Sequence, residues 1–190
     1  MISARQVVEQ AGLDVNILID RLTSAAAAEL SAVYRFTILT ARPLGFADEE
    51  LRQILQDIRD EDRHHFDALV GRIYELDGTL PDDIRQFLKR SHARPEDGAA
   101  VDARDPVTTL IEDVRRAVDP YRGLCDLTEG KDHRTHLLAQ AIRNEKIEHQ
   151  AWLGEFLGTG QPGRFHRGFR GHSPFLTSLT ATPQGADPPA

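Results

Sequence analysis

The sequence predicts an all-α protein: a four-helix bundle whose second and third bundle helices are joined by a long crossover carrying a short extra helix. Three observations point there. Four long segments have apolar residues recurring at the roughly 100° per residue of a helix. No strand pattern of consequence and no solenoid-type repeat appears. Two short segments 84 residues apart, Glu61-Asp62-Arg63-His64-His65 and Glu145-Lys146-Ile147-Glu148-His149, each place a carboxylate and a histidine within one turn, inside such a stripe. Carboxylates and imidazoles on a buried stripe cost desolvation free energy, so they persist when paired, hydrogen-bonded or bound to a metal.

The first bundle helix is expected over Asp14 to about Arg42, with Leu18, Leu22, Ala25, Ala26, Val33 and Phe36 on one face and Glu29 in the middle of it. A break at Pro43-Leu44-Gly45-Phe46 precedes the second, Asp48 to Leu76, whose stripe is Leu51, Ile54, Ile58, Leu69, Ile73 and Leu76. Asp62 and His65 lie inside that stripe, Glu61 at its edge, and His64 points away. Gly78-Thr79-Leu80-Pro81 ends the helix, Asp82 to Arg90 suits a short one, and the polar Ser91 to Asp105 stretch completes the crossover. The third helix starts near Pro106, with Leu110, Ile111, Val114, Val118, Tyr121 and Cys125 in phase and a kink expected at Pro120. Asp132 can cap the fourth, which runs to Leu157 before Gly158, with Leu138, Ala141, Ile142, Trp152, Leu153 and Phe156 beside Glu145 and His149. Residues 1–158 are therefore expected to form one bundle domain, and 159–190, rich in Gly, Pro and Arg, an extended tail bearing Arg164, His166, Arg167, Arg170 and His172.

Composition narrows the function. At 190 residues one core of ordinary size suffices. No apolar run is long enough to cross a bilayer and Met1-Ile2-Ser3-Ala4-Arg5 does not open a signal peptide, so a cytoplasmic protein without membrane partners is expected. The single cysteine, Cys125, excludes an internal disulfide and gives no support for a thiolate zinc site. A net charge of −7 and only three lysines, Lys89, Lys131 and Lys146, argue against general DNA binding.

Bundles with carboxylate-bridged iron pairs take a carboxylate-x-x-His from two helices and a single Glu from each of the other two. Glu29, Asp62, His65 and His149 satisfy part of that pattern. Two expected ligands are missing: Lys146 stands three residues before His149, and an ammonium has no lone pair to donate. The centre of the third stripe is Val114, with Glu112 projecting to nearly the opposite side. Either Lys146 pairs with Glu29 and Asp62 in a buried salt-bridge cluster, or Glu145, four residues before His149 as Glu61 is before His65, swings in and weaker metal sites survive.

The motifs Glu61-Asp62-Arg63-x-His65-Phe66, Arg72-Ile73-Tyr74-Glu75-Leu76-x-Gly78, Leu80-Pro81-x-Asp83-Ile84, Thr128-x-Gly130-Lys131-Asp132-x-Arg134-Thr135 and Ile147-Glu148-His149-x-x-Trp152 resemble, in order, the Dps-like branch of the ferritin superfamily. These are the peroxide-responsive dodecameric mini-ferritins sometimes called thioferritins. The resemblance runs from about Gly12 through Pro174, including Gly163-x-Phe165-x-Arg167 and Ser173-Pro174. It implies a ferritin-like subunit in a homo-oligomeric shell of twelve, with a diiron centre in each bundle that oxidises Fe(II), preferably with hydrogen peroxide, and ferric mineral stored in the cavity. Carried over by position, Glu29, Asp62 or its neighbour Glu61, His65 and His149 match ligand places, while the family has Glu at Val114 and Lys146. The family also has a cysteine pair near the site. Cys125 matches one member as a redox thiol, and no cysteine stands near Ser91 to Pro95 to match the other.

Three functions compete. The first is an iron-oxidising and iron-storing mini-ferritin that protects against oxidative stress, and is then a ferroxidase. The second is a degenerate ferritin-like shell without a working diiron centre, Lys146 replacing the metal. The third is a nucleoid protein binding DNA through the arginine-bearing tail.

Overall fold

The computed structural model describes residues 2–41, 49–91, 106–158, 166–173 and 175–176, with side chains 106–109 and 111 excluded. The described helices are α1 (Ala4–Gln10), α2 (Val15–Ala41), α3 (Glu49–Glu75), α4 (Ile84–Leu88), α5 (Pro106–Arg116), α6 (Asp119–Thr128) and α7 (His133–Phe156). Helices α2, α3, α5 with α6, and α7 are the four members of the bundle, and α4 is the extra helix of the crossover. The expected break at Pro43–Phe46, crossover positions 92–105, and tail positions 159–165, 174 and 177–190 lie outside the described residues.

Local chemistry explains the boundaries. The chain leaves α3 through Asp77 at φ 57, with the Gly78 N–H on the Ile73 carbonyl at 2.9 Å and the Asp77 N–H on Tyr74 at 3.1 Å. That closes the last turn. A Cβ on Gly78 would stand 3.0 Å from the Ile73 carbonyl oxygen and 3.0 Å from the Ile19 side chain, so glycine fits this corner where larger residues do not. Asp132 caps α7 through the Thr135 N–H and also receives the Arg72 guanidinium at 3.0 and 2.9 Å, fixing the start of α7 against the end of α3.

Two features differ from expectation. The third bundle helix is broken rather than kinked: α5 ends at Arg116 and α6 begins at Asp119, because Pro120 has no N–H for the Arg116 carbonyl and its ring crowds that oxygen. A short N-terminal helix, α1, precedes the bundle. Its signal was a capping box, Ser3 Oγ accepting from the Gln6 N–H while Gln6 Oε1 accepts from the Ser3 N–H.

The interior is split in two. One apolar cluster gathers Leu18, Leu22, Ala26, Leu69, Ile73, Tyr121, Leu124 and Ile142; the other gathers Phe36, Leu51, Ile54, Ile58, Leu110, Val114, Trp152 and Leu153. Along α2, α3 and α7 the residues between these clusters are the charged ones.

Candidate metal centre

Seven ionisable side chains form the layer between the clusters, none more than 3% exposed: Glu29 from α2, Glu61, Asp62 and His65 from α3, and Glu145, Lys146 and His149 from α7. All four carboxylates, both imidazoles and the lysine singled out in the sequence therefore meet in one place.

Helices α3 and α7 exchange partners across the layer. His65 Nε2 lies 2.5 Å from Glu145 Oε2, and His149 Nε2 lies 2.9 Å from Glu61 Oε2. The carboxylate four residues before each histidine thus holds the histidine of the opposite helix. Glu61 and Glu145, read as possible substitute ligands, stand against the Nε2 atoms of the two imidazoles. Both Nδ1 atoms face the centre: that of His65 is 3.3 Å from Glu29 Oε2 and 3.6 Å from Asp62 Oδ1, and that of His149 is 3.7 Å from Asp62 Oδ1. His149 Nδ1 is buried and has no hydrogen-bond partner. Outer carboxylates that orient inward-facing imidazoles are the usual support of metal-ligating histidines.

The centre itself is taken by Lys146. Its Nζ donates to Glu29 Oε2 at 2.8 Å and to Asp62 Oδ1 at 2.7 Å, while Tyr121 from α6 donates its hydroxyl to Glu29 Oε1 at 2.5 Å. Burial opposes ionisation of Glu29, but the Lys146 ammonium and the His65 hydrogen bond outweigh it and hold that carboxyl at about 2. Burial wins at Asp62, which shares the same ammonium and is pushed up to about 7. Burial would lower Lys146, yet the two carboxylates raise it above the ordinary lysine value. For His65 the bonds to Glu145 and Glu29 overcome burial and raise the imidazole to about 9. Burial and the Lys146 charge depress His149, which stays neutral.

The described residues of the C-terminal segment, 166–173 and 175–176, border the layer. Arg167 Nη1 is 2.7 Å from Glu61 Oε1, its Nε donates to Glu148 at 2.8 Å, and its guanidinium lies 4.8 Å from the centroid of the Trp152 ring. His166 Nε2 stands 2.7 Å from Asp57 Oδ2, and His64 meets Phe169 edge-on. Ser173 donates to Glu145 Oε1, which also accepts the Phe175 N–H at 2.9 Å. Glu61, expected at the edge of its stripe, is completely buried with Arg167 and His149 as its partners.

Glu29, Asp62 and His65 each offer a ligand atom, and these atoms lie within 4.8 Å of one another, a group that could hold one metal ion. Among the described residues a second cation finds no such set. Lys146 donates where a carboxylate would accept, Val114 is packed in the apolar cluster with Trp152 and Leu153, and Glu112 is exposed. Lys146 Nζ, moreover, already engages two of the three ligand groups. The residues present do not fit a dinuclear metal centre. Cys125 is buried in the other apolar cluster, and burial pushes its thiol up, away from the thiolate that redox chemistry requires.

Three contributors were missed in the sequence: Tyr121, Arg167 and Ser173. Tyr121 could have been found, since a tyrosine in phase with a buried stripe needs a partner for its hydroxyl. Arg167 and Ser173 lie in a segment without periodicity, where nothing local shows what they touch.

Residues 19–161 match the family model of the ferritin-like domain. The chain is 44% identical over 183 residues, covering 94% of it and 97% of the relative, to the DNA protection during starvation protein of Pyrococcus furiosus. Among solved structures it is similar to a dodecameric thioferritin, the bacterioferritin-related protein from Bacteroides fragilis, with a TM-score of 0.73 and 25% identity over 80% of this chain and 90% of that one. It also shares its fold with antigen TpF1 from Treponema pallidum, at a TM-score of 0.63 and 13% identity over 75% of this chain and 92% of that one.

Proposed function

The chain belongs to the ferritin-like family, in its Dps-like branch, and from that premise we propose that it is a cytoplasmic mini-ferritin that takes up and stores iron and protects against oxidative stress. The observation that carries this reading is the crossed pair His65–Glu145 and His149–Glu61, which turns one imidazole nitrogen from each of α3 and α7 toward Glu29 and Asp62. Such a layer has a cost in desolvation that an apolar core would not, and iron handling is the family's reason for it. The dodecameric state of the thioferritin supports a homo-oligomeric shell here, twelve subunits being the expected size. Fe(II) is the substrate and hydrogen peroxide the oxidant.

A second reading has its own observation. Lys146 Nζ, at 2.8 and 2.7 Å from Glu29 and Asp62, favours a shell whose bundles no longer hold a diiron centre. DNA binding is disfavoured by the net charge of −7 and by the engagement of Arg167 with Glu61 and Glu148.

Adding Fe(II) and hydrogen peroxide to the purified protein, then measuring iron in the fraction that elutes at shell size, tests the proposal. Iron retained far beyond a few atoms per subunit is expected. An assembly that emerges without iron, with Fe(II) oxidised no faster than in buffer, leaves only the second reading standing.

A further inference from the structure

We propose that Lys146 is a built-in replacement for a metal cation, so that the bundle centre of this protein is neutralised by the chain itself and needs no divalent metal to fold or to assemble. This goes beyond iron storage by the shell and holds whether or not the cavity fills with mineral.

The position of Nζ is the first argument. It bonds one oxygen of Glu29 and one of Asp62 at 2.8 and 2.7 Å, the two carboxylates that with His65 make up the candidate ligand group. An ammonium there supplies the positive charge that two buried carboxylates require, with hydrogen bonds in place of coordinate bonds. Charge matching is the second. Each of the four carboxylates in the layer has a partner from the chain: Glu29 and Asp62 have Lys146, Glu61 has Arg167, and Glu145 has His65. Two divalent cations added to that arrangement would leave it with surplus positive charge in a water-poor interior. The buried, unpartnered Nδ1 of His149 is the third. It is a lone pair oriented toward the centre with nothing to bind, as expected of a ligand whose metal has been displaced while its outer support, Glu61, has stayed.

A single site is therefore expected to exchange an internal ammonium for an external cation when the lysine is shortened. Lys146→Ala removes the charge, leaves Glu29, Asp62 and His65 in place, and opens room between them.

Wild-type protein and Lys146→Ala, both stripped with chelator, are titrated with Co(II), whose visible absorption reports ligand number, and their thermal midpoints are followed in parallel. Wild-type protein is expected to keep the same midpoint with chelator and with cobalt and to develop no coordinated-cobalt band. The variant is expected to melt lower by roughly 10 °C, as for a buried pair that loses one partner. One equivalent of Co(II) per subunit should restore most of that loss with a band of low coordination number. If the variant folds only when cobalt is supplied, the same conclusion follows. Wild-type protein that gains a stoichiometric cobalt band, or that loses stability on chelation, overturns the proposal even if the variant never folds. So does a folded variant indifferent to cobalt. Because neither readout involves iron retention, failure here is distinct from failure of the storage function.

Discussion

His65 of α3 and Glu145 of α7 meet at 2.5 Å with neither side chain accessible to solvent, tying the two helices together halfway along the bundle. Removing either partner strands the other. Glu145→Ala is expected to cost about 3–5 kcal/mol, the range for breaking a buried pair. Glu145→Gln, which still accepts from the imidazole and from Ser173, should cost less. Denaturant unfolding of both variants checks this. A loss under about 1 kcal/mol for the alanine variant would mean that the pair is not formed in solution.

Stability should fall as pH rises above neutrality. His65 is raised from 6.5 to about 9 in the folded protein, so its contribution is fully present below its unfolded value and is lost as pH climbs through 9. Asp62, raised from 3.8 to about 7, acts in the same direction over a lower window. Glu29, lowered from 4.5 to about 2, acts oppositely, and its contribution is lost only as pH falls toward 2. Between pH 6.5 and 9 His65 therefore dominates, the Asp62 window closing near 7. Urea midpoints taken across that interval should decline for the wild type and decline less for Glu145→Gln, where the proton on His65 has lost its main partner. A wild-type profile that is flat or rising contradicts the assignment.

The sequence carried most of this architecture because the informative residues repeat at helical spacing. Phase alone put Glu29, Asp62, His65, Glu145 and His149 on buried faces, and the same phase exposed Lys146 and Val114 as departures. Partner choice was not legible. Spacing says that Glu61 and Glu145 precede their histidines by four residues. It does not say that each serves the histidine of the other helix, which depends on how α3 and α7 are set against one another. Helix continuity at Pro120 was half legible: proline announces a disturbance, but not that α5 would end at Arg116 and α6 begin anew at Asp119. The tail was the least legible part, since Arg167 and Ser173 are defined by contacts 106 and 28 residues away with Glu61 and Glu145.

We propose that residues 1–158 and the C-terminal segment are energetically one unit rather than a bundle with an independent tail. Arg167→Met should expose this, because Glu61 is completely buried and, among the described residues, would keep His149 as its partner. Arg167 is itself partly exposed, so the expected loss is about 1–2 kcal/mol, below that of a fully buried pair. Deleting residues 159–190 removes Ser173 and the Phe175 N–H from Glu145 as well and should cost more than the point change. Thermal unfolding of the two forms decides it. A truncated chain as stable as the whole would show that 159–190 is energetically independent of the bundle.

Restoring the missing ligands is the most demanding test of whether Lys146 and Val114 keep this centre from holding a metal pair. Lys146→Glu alone sets a third carboxylate beside Glu29 and Asp62 and removes their cation, so without metal it should be strongly destabilising. Val114→Glu alone buries a carboxylate in an apolar cluster that offers it no partner, with a similar outcome. Together they complete the set expected of a carboxylate-bridged pair, and two divalent cations would then relieve both penalties at once. The double variant should therefore be more stable with metal than either single variant, and should carry about two metal ions per subunit by elemental analysis where the wild type carries none in its bundle. Non-additivity of this sign is what distinguishes a rebuilt site from two independent substitutions. If the double variant folds with unchanged metal content, Lys146 and Val114 are not what limits metal binding at this centre.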